Sequence, residues 1–128
     1  MPHFSIEYSS NLETIIDMRL FCNILRKAGI ETKAFPLAGI RVRAIKCEHY
    51  SIADNIPKNS FIYISVRLRE GRDLETRKAA TNHIFSAAEK FLKSTMEKHP
   101  LALSMEMRNI DSKLSPKSNS IRNFLKED

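Results

Sequence analysis

The chain has no tryptophan, three glycines and two cysteines in 128 residues. Each scarcity excludes something. Cys22 and Cys47 are too few for a disulfide framework, so the fold must rest on its own core, and reduced thiols in a cytoplasmic protein are expected. With only Gly29, Gly39 and Gly71, there is no glycine-rich phosphate loop, and each glycine is expected where the backbone needs it. No apolar run approaches the ~18 residues of a membrane span, and no signal-like stretch follows the N-terminus. His3, His49, His83 and His99 have no ligand spacing among themselves or with the cysteines, so no metal is expected. A nucleophile elbow and a Cys/His catalytic signature are also missing.

What is present is a moderate apolar fraction, 42%, in a length typical of one domain. Residues 1–128 are therefore expected to form a single domain. The formal net charge is +6, which suits anionic partners: nucleic acid, an acidic membrane surface or a polycarboxylate metabolite.

Hydrophobic periodicity predicts six main elements. Phe4, Ile6 and Tyr8 alternate with His3, Ser5 and Glu7, which predicts a first strand with Pro2 on the apolar face. Ser9-Ser10-Asn11 offers caps for a first helix through Leu12, Ile15, Ile16, Phe21, Cys22 and Leu25, with Gly29 at its C′ position. A second strand follows a turn-like Phe35–Gly39 and runs over Ile40–Ala44. A loop spans 51–60. Phe61–Arg69 is the clearest strand, with Ile62, Ile64, Val66 and Leu68 on one face. Glu70-Gly71-Arg72 turns the chain, and Asp73 caps a long amphipathic helix over Leu74–Lys98, stopped by Pro100. Leu101, Leu103, Met105 and Met107 alternate as a fourth strand. Met18, Met96, Met105 and Met107 read as core filler. A polar tail, 111–128, is expected to pack on the body or on a neighbouring subunit.

The order strand, helix, strand, strand, helix, strand is an α+β, ferredoxin-like β-α-β-β-α-β arrangement, a four-stranded sheet with both helices on one face. The other face is left open and is expected to bury itself, most readily on a second copy.

Chemistry is concentrated at the start of the chain. A small residue after Met1 permits removal of the methionine, which would leave Pro2 as a secondary amine. Such an amine is a nucleophile, and it is a base near neutral pH when its surroundings disfavour the ammonium form. Arg41 and Arg43, two apart on a strand, point from one face, and Arg72 precedes the second helix. Guanidinium groups hold carboxylates through paired hydrogen bonds and shift a nearby amine toward neutrality.

Several stretches carry a resemblance. They are Pro2-His3-Phe4 with Glu7, Phe35-Pro36-Leu37-Ala38-Gly39-Ile40-Arg41-Val42-Arg43, Gly71-Arg72-Asp73-Leu74-Glu75-Thr76-Arg77, and Leu101-Ala102-Leu103-Ser104 with Glu106. Together they resemble the 5-carboxymethyl-2-hydroxymuconate isomerases of the tautomerase superfamily over nearly the whole length. The resemblance implies a homotrimer that isomerises a dienol tricarboxylate in homoprotocatechuate breakdown, without cofactor or metal. It implies Pro2 as the general acid/base, Arg41 and Arg72 as carboxylate-binding and dienolate-polarising residues, and Arg43 as a further substrate contact. Lys46–Tyr50 and the tail after Asp111 match the family less closely.

Two alternatives stand beside this expectation. One is a tautomerase of a related enol carboxylic acid. The other is an RNA-binding module, because such domains share the element order and place stacking aromatics where Phe61 and Tyr63 lie. The Asn59-Ser60 lead lacks the basic and glycine residues of that motif, so neither nucleic acid nor a membrane is the expected partner.

Overall fold

The computed structural model describes residues 2–126; the expected loss of Met1 and the last two tail residues fall outside them. The elements are β1 (His3–Ser9), a 3-10 turn Ser10–Leu12, α1 (Met18–Glu31), a 3-10 turn Leu37–Gly39, β2 (Arg41–Cys47), β3 (Ser60–Arg69), α2 (Leu74–Lys98), β4 (Leu101–Ile110), and two 3-10 turns, Ser112–Leu114 and Ile121–Phe124. The β-α-β-β-α-β order matches the sequence expectation. So do the four-stranded sheet and the packing of α1 and α2 against each other on one side.

The strands lie in the order β2-β1-β3-β4. β1 is parallel to β2, β3 is parallel to β4, and β1 meets β3 antiparallel. In the split form of the ferredoxin-like motif, a strand of the other half separates the two parallel strands of each unit. Here each β-α-β half keeps its own strands adjacent, and the halves join along one antiparallel seam. Parallel strands need a crossover, and each helix supplies one. The starts of β1 and β2 and the ends of β3 and β4 therefore share one end of the sheet.

Alternation sets the faces. Phe4, Ile6, Ile62, Ile64 and Val66 are wholly buried on the helix side. Each contributes about 1.5–3 kcal/mol of hydrophobic stabilisation. α2 answers with Ala80, Ile84, Ala88 and Leu92, four residues apart along one stripe. α1 answers with Met18, Phe21, Leu25 and Ala28, and Phe21 stacks on Phe91 at 5.4 Å between ring centroids. Asp73 caps α2 as expected, accepting from Thr76 N at 2.8 Å.

The first helix departs from the expectation at both ends. Ser9 does not cap it: the buried Ser9 hydroxyl accepts from Phe61 N at 3.0 Å, tying β1 to the start of β3. Ser10–Leu12 makes only a 3-10 turn, and α1 begins six residues later, where Asp17 accepts from Leu20 N at 3.0 Å. Gly29 is not the C′ residue. It lies inside α1, which continues to Glu31 and stops at Thr32, whose hydroxyl donates to Gly29 O at 2.6 Å. Close approach explains the glycine: a β-carbon there would fall 2.6 Å from Ile40 Cδ1 and 2.9 Å from Phe4 Cζ. Met96 is 42% exposed and fills no core. β2 starts one residue later than expected and extends to Cys47. Both cysteines are free.

Candidate active site

Pro2 is buried and immediately precedes β1. The register from there across the sheet builds the site. His3 stands opposite Arg41 on β2 and opposite Arg67 on β3, and Arg67 stands opposite Arg108 on β4. Residues directly opposite share a face. Arg41, His3, Arg67 and Arg108 thus form one row across all four strands on the open face, at the end of the sheet where the chain begins. The next row inward is Arg43, Ser5, Ser65 and Glu106.

Arg41 and Arg43 share the open face, as their spacing predicts. Arg41 Nε donates to Gly39 O at 3.3 Å, which folds its guanidinium back over the turn before β2. Arg43 Nη1 lies 3.2 Å from His3 Nδ1. Burial, followed by the charges of Arg41 and Arg43, holds the His3 imidazole below its ordinary 6.5.

A cavity of about 550 Å3 opens on this end, with His3, Arg41, Arg67 and Arg69 on one wall. The tail makes the other wall, Asp111 and Leu114 through Ser118. Side-chain hydrogen bonds hold the tail there. Glu70 Oε1 accepts from Ser112 N at 3.0 Å and from Ser112 Oγ at 2.6 Å, and Asn119 Nδ2 donates to Ala38 O at 2.8 Å. The two Ser112 bonds hold the Glu70 carboxyl below its ordinary 4.5.

Arg72 sits apart from this lining. Its Nε donates to Ala34 O at 2.5 Å and its Nη1 to Arg69 O at 3.3 Å. The guanidinium thereby bridges the end of β3 to the loop after α1, and Arg77 Nε donates to Arg72 O at 3.2 Å, anchoring it to α2. Gly71 makes the preceding turn with φ +123°, a conformation open to glycine. The structure thus brings Arg41 and Arg43 together around His3. Of the expected site residues Arg41 lines the cavity; within one chain, Pro2, Arg43 and Arg72 do not.

Nothing in the sequence alone marks His3, Arg67, Arg69 and Lys117 as binding residues. The alternation of β3 already put Arg67 and Arg69 on its polar face, but their neighbours follow only from strand register. A second cavity, of about 590 Å3, lies between α1 and the edge strand β2, lined by Arg19, Cys22, Arg26 and Val42 among others. There Asn23 Oδ1 accepts from Arg26 Nη2 at 2.7 Å. Among the described residues, no group of three His, Cys, Asp or Glu side chains stands close enough to hold a metal ion. No helix among them is long and apolar enough to cross a membrane.

Comparison with known proteins agrees with this architecture. The family model for 5-carboxymethyl-2-hydroxymuconate isomerase matches residues 2–125. The Escherichia coli 5-carboxymethyl-2-hydroxymuconate Delta-isomerase is 29% identical over 126 residues, 98% of this chain and 100% of the relative. A crystal structure of a 5-carboxymethyl-2-hydroxymuconate delta-isomerase superposes with TM-score 0.90 at 26% identity, covering 100% of this chain and 95% of the other. The fold alone extends further, to a fused 4-OT solved as a symmetric trimer, at TM-score 0.62 and 16% identity over 91% of this chain and 93% of that one. With a match that starts at Pro2 and runs through the tail wall of the cavity, the chain belongs to the 5-carboxymethyl-2-hydroxymuconate isomerase family.

Proposed function

We propose that this chain isomerises 5-carboxymethyl-2-hydroxymuconate, a dienol, to its 2-oxo-3-ene keto form, with the amine of Pro2 carrying the proton. Once Met1 is removed, the uncharged ring nitrogen takes the proton of the 2-hydroxyl. The electron pair spreads along the dienolate to C5. The resulting ammonium returns its proton to C5, and the nitrogen is again a free base. No bond to the enzyme forms, and no oxidant is needed.

Arg41 binds a substrate carboxylate, and Arg72 holds charge on the developing enolate oxygen. Arg43, which shares the open face with Arg41 and hydrogen-bonds His3, is a further substrate contact. Burial and the cationic row both favour the uncharged amine, since each penalises an added positive charge. Members of the fold include a symmetric trimer. We take this chain to assemble likewise, with the open sheet face turned toward a neighbour, which allows Arg72 of one subunit to meet Pro2 of another. The working compartment in this proposal is the cytoplasm.

The observation that carries the proposal is the His3–Arg41 register, in a chain whose family match begins at Pro2. It stations a guanidinium across the strand from the residue that follows the amine. The test is the rate of ketonisation followed by ultraviolet absorbance, comparing wild type with Pro2→Ala. A loss of about 10²-fold or more in kcat is expected, the scale of a general acid/base removed. Equal rates overturn the mechanism. A related enol carboxylic acid is the second reading of the substrate, since a relative 29% identical leaves room for a different acid within the family. A higher kcat/KM for such an acid than for the tricarboxylate decides in its favour.

A further inference from the structure

The row Arg41–His3–Arg67–Arg108 is unusual in what it lacks. Like charges set directly opposite on a sheet repel each other, and Arg67 faces Arg108 with no intervening residue. Among the described residues, the ion pairs are Lys46–Glu48, Lys78–Glu75 and His83–Glu31; none involves the row. Glu106, the acid nearest in register, accepts instead from the Tyr63 hydroxyl. A sheet that carries like charges in register with no acid paired to them favours an anionic ligand there.

The cavity indicates where that anion sits. His3, Arg41, Arg67 and Arg69 line it together, and the tail adds Lys117. Its one acidic lining residue, Asp111, accepts from Lys113 N at 2.9 Å. The volume of about 550 Å3 falls in the range of small-molecule sites. Arg72, committed to the carbonyls of Ala34 and Arg69, stands outside it.

We propose that Arg67 and Arg69, facing Lys117 of the C-terminal segment across this cavity, form a second carboxylate subsite that holds the end of a small polycarboxylate remote from the reacting carbon. Arg41 then stands between the two ends of the substrate, and the tail becomes a determinant of specificity. The proposal deepens the isomerase reading above and rests on it.

Citrate is a suitable probe, since it offers three carboxylates and does not turn over. Calorimetric titration at low ionic strength is expected to show citrate binding to the wild type. Affinity should fall about tenfold in Arg67→Gln, the scale expected when one charge-assisted hydrogen bond is removed. Lys113→Gln, in the same segment but outside the lining, should bind as the wild type does. Without citrate, Arg67→Gln should melt no lower than the wild type, because a repelling charge has been removed. With substrate, KM should rise about tenfold while kcat stays within about twofold. Equal citrate affinity in Arg67→Gln and wild type overturns the subsite. So does equal stabilisation by chloride at matched ionic strength, which would mean screening alone. Citrate binding is read without turnover, so the two proposals can fail separately. Weak citrate binding by Arg67→Gln, beside a Pro2→Ala variant as active as wild type, would keep the subsite and sink the proline mechanism.

Discussion

Arg43 Nη1 stands 3.2 Å from His3 Nδ1, across the β1–β2 pair. A guanidinium only donates, so Nδ1 accepts and the proton of the neutral ring is on Nε2. The imidazole is held below 6.5 by burial first, then by Arg41 and Arg43. The sign follows from proton uptake. As pH falls, the unfolded chain protonates His3 before the folded chain does, so stability is intact above ~6.5 and is lost between there and the lower folded value. The melting temperature of the wild type should therefore drop as pH falls below the ordinary imidazole value, and that of His3→Gln should drop less. Equal slopes for the two proteins would remove His3 from the account.

Gly29 couples the helix layer to this end of the sheet. Alanine there would gain about 1 kcal/mol of helix propensity. It would also press on Phe4, whose ring is wholly buried and packed edge-on to Phe35 at 5.4 Å. Overpacking of that kind costs about 1–3 kcal/mol. The Ile40 methyl is the end of a partly buried side chain that can turn; the Phe4 ring is wholly buried. Gly29→Ala should therefore lower the urea midpoint. It should also raise KM, because Phe4 and Ile40 adjoin His3 and Arg41 in sequence. A raised midpoint would mean that the ring yields freely.

Arg72 has a split role that two readouts separate. Nε and Nη1 serve the carbonyls of Ala34 and Arg69, and the remaining donors can serve an oxyanion. Arg72→Ala should lower kcat by about 10²-fold, the scale for removal of one oxyanion donor. It should also lower the melting temperature, since two carbonyls are left without their donor. Arg72→Lys should recover part of the melting temperature and little of kcat, because an ammonium lacks the fork. A full return of kcat in Arg72→Lys would show that charge alone is needed.

Most of the fold was legible because its segments are long and strongly patterned. Ile62 to Leu68 alternates without a break, and Ala80, Ile84, Ala88 and Leu92 recur every fourth residue. The start of α1 was not legible. Ser9, Ser10, Asn11 and Asp17 are all capping types, and the choice among them is tertiary: Ser9 is taken by Phe61 N, fifty-two residues away in sequence. Gly29 looked like a helix terminator because its neighbours, Phe4 and Ile40, arrive from distant parts of the chain. Of the site, the sequence exposed Pro2, Arg41, Arg43 and Arg72 as chemical types. It left Arg67, Arg69 and Lys117 as ordinary surface charge. Arg67 and Arg69 share β3, but Arg41 joins them across His3 only because β2 pairs with β1, which a choice between split and unsplit β-α-β units decides, and Lys117 joins them only through the path of the tail; periodicity encodes neither.

The central claim is a neutral amine at Pro2, and nitrogen-15 NMR of proline-labelled protein titrates it directly. The account predicts a free secondary amine with a midpoint below the ~8 of an ordinary α-amine, coinciding with the acidic limb of kcat/KM. A terminal nitrogen that does not titrate, or one that titrates above that value without the activity following it, would contradict the account.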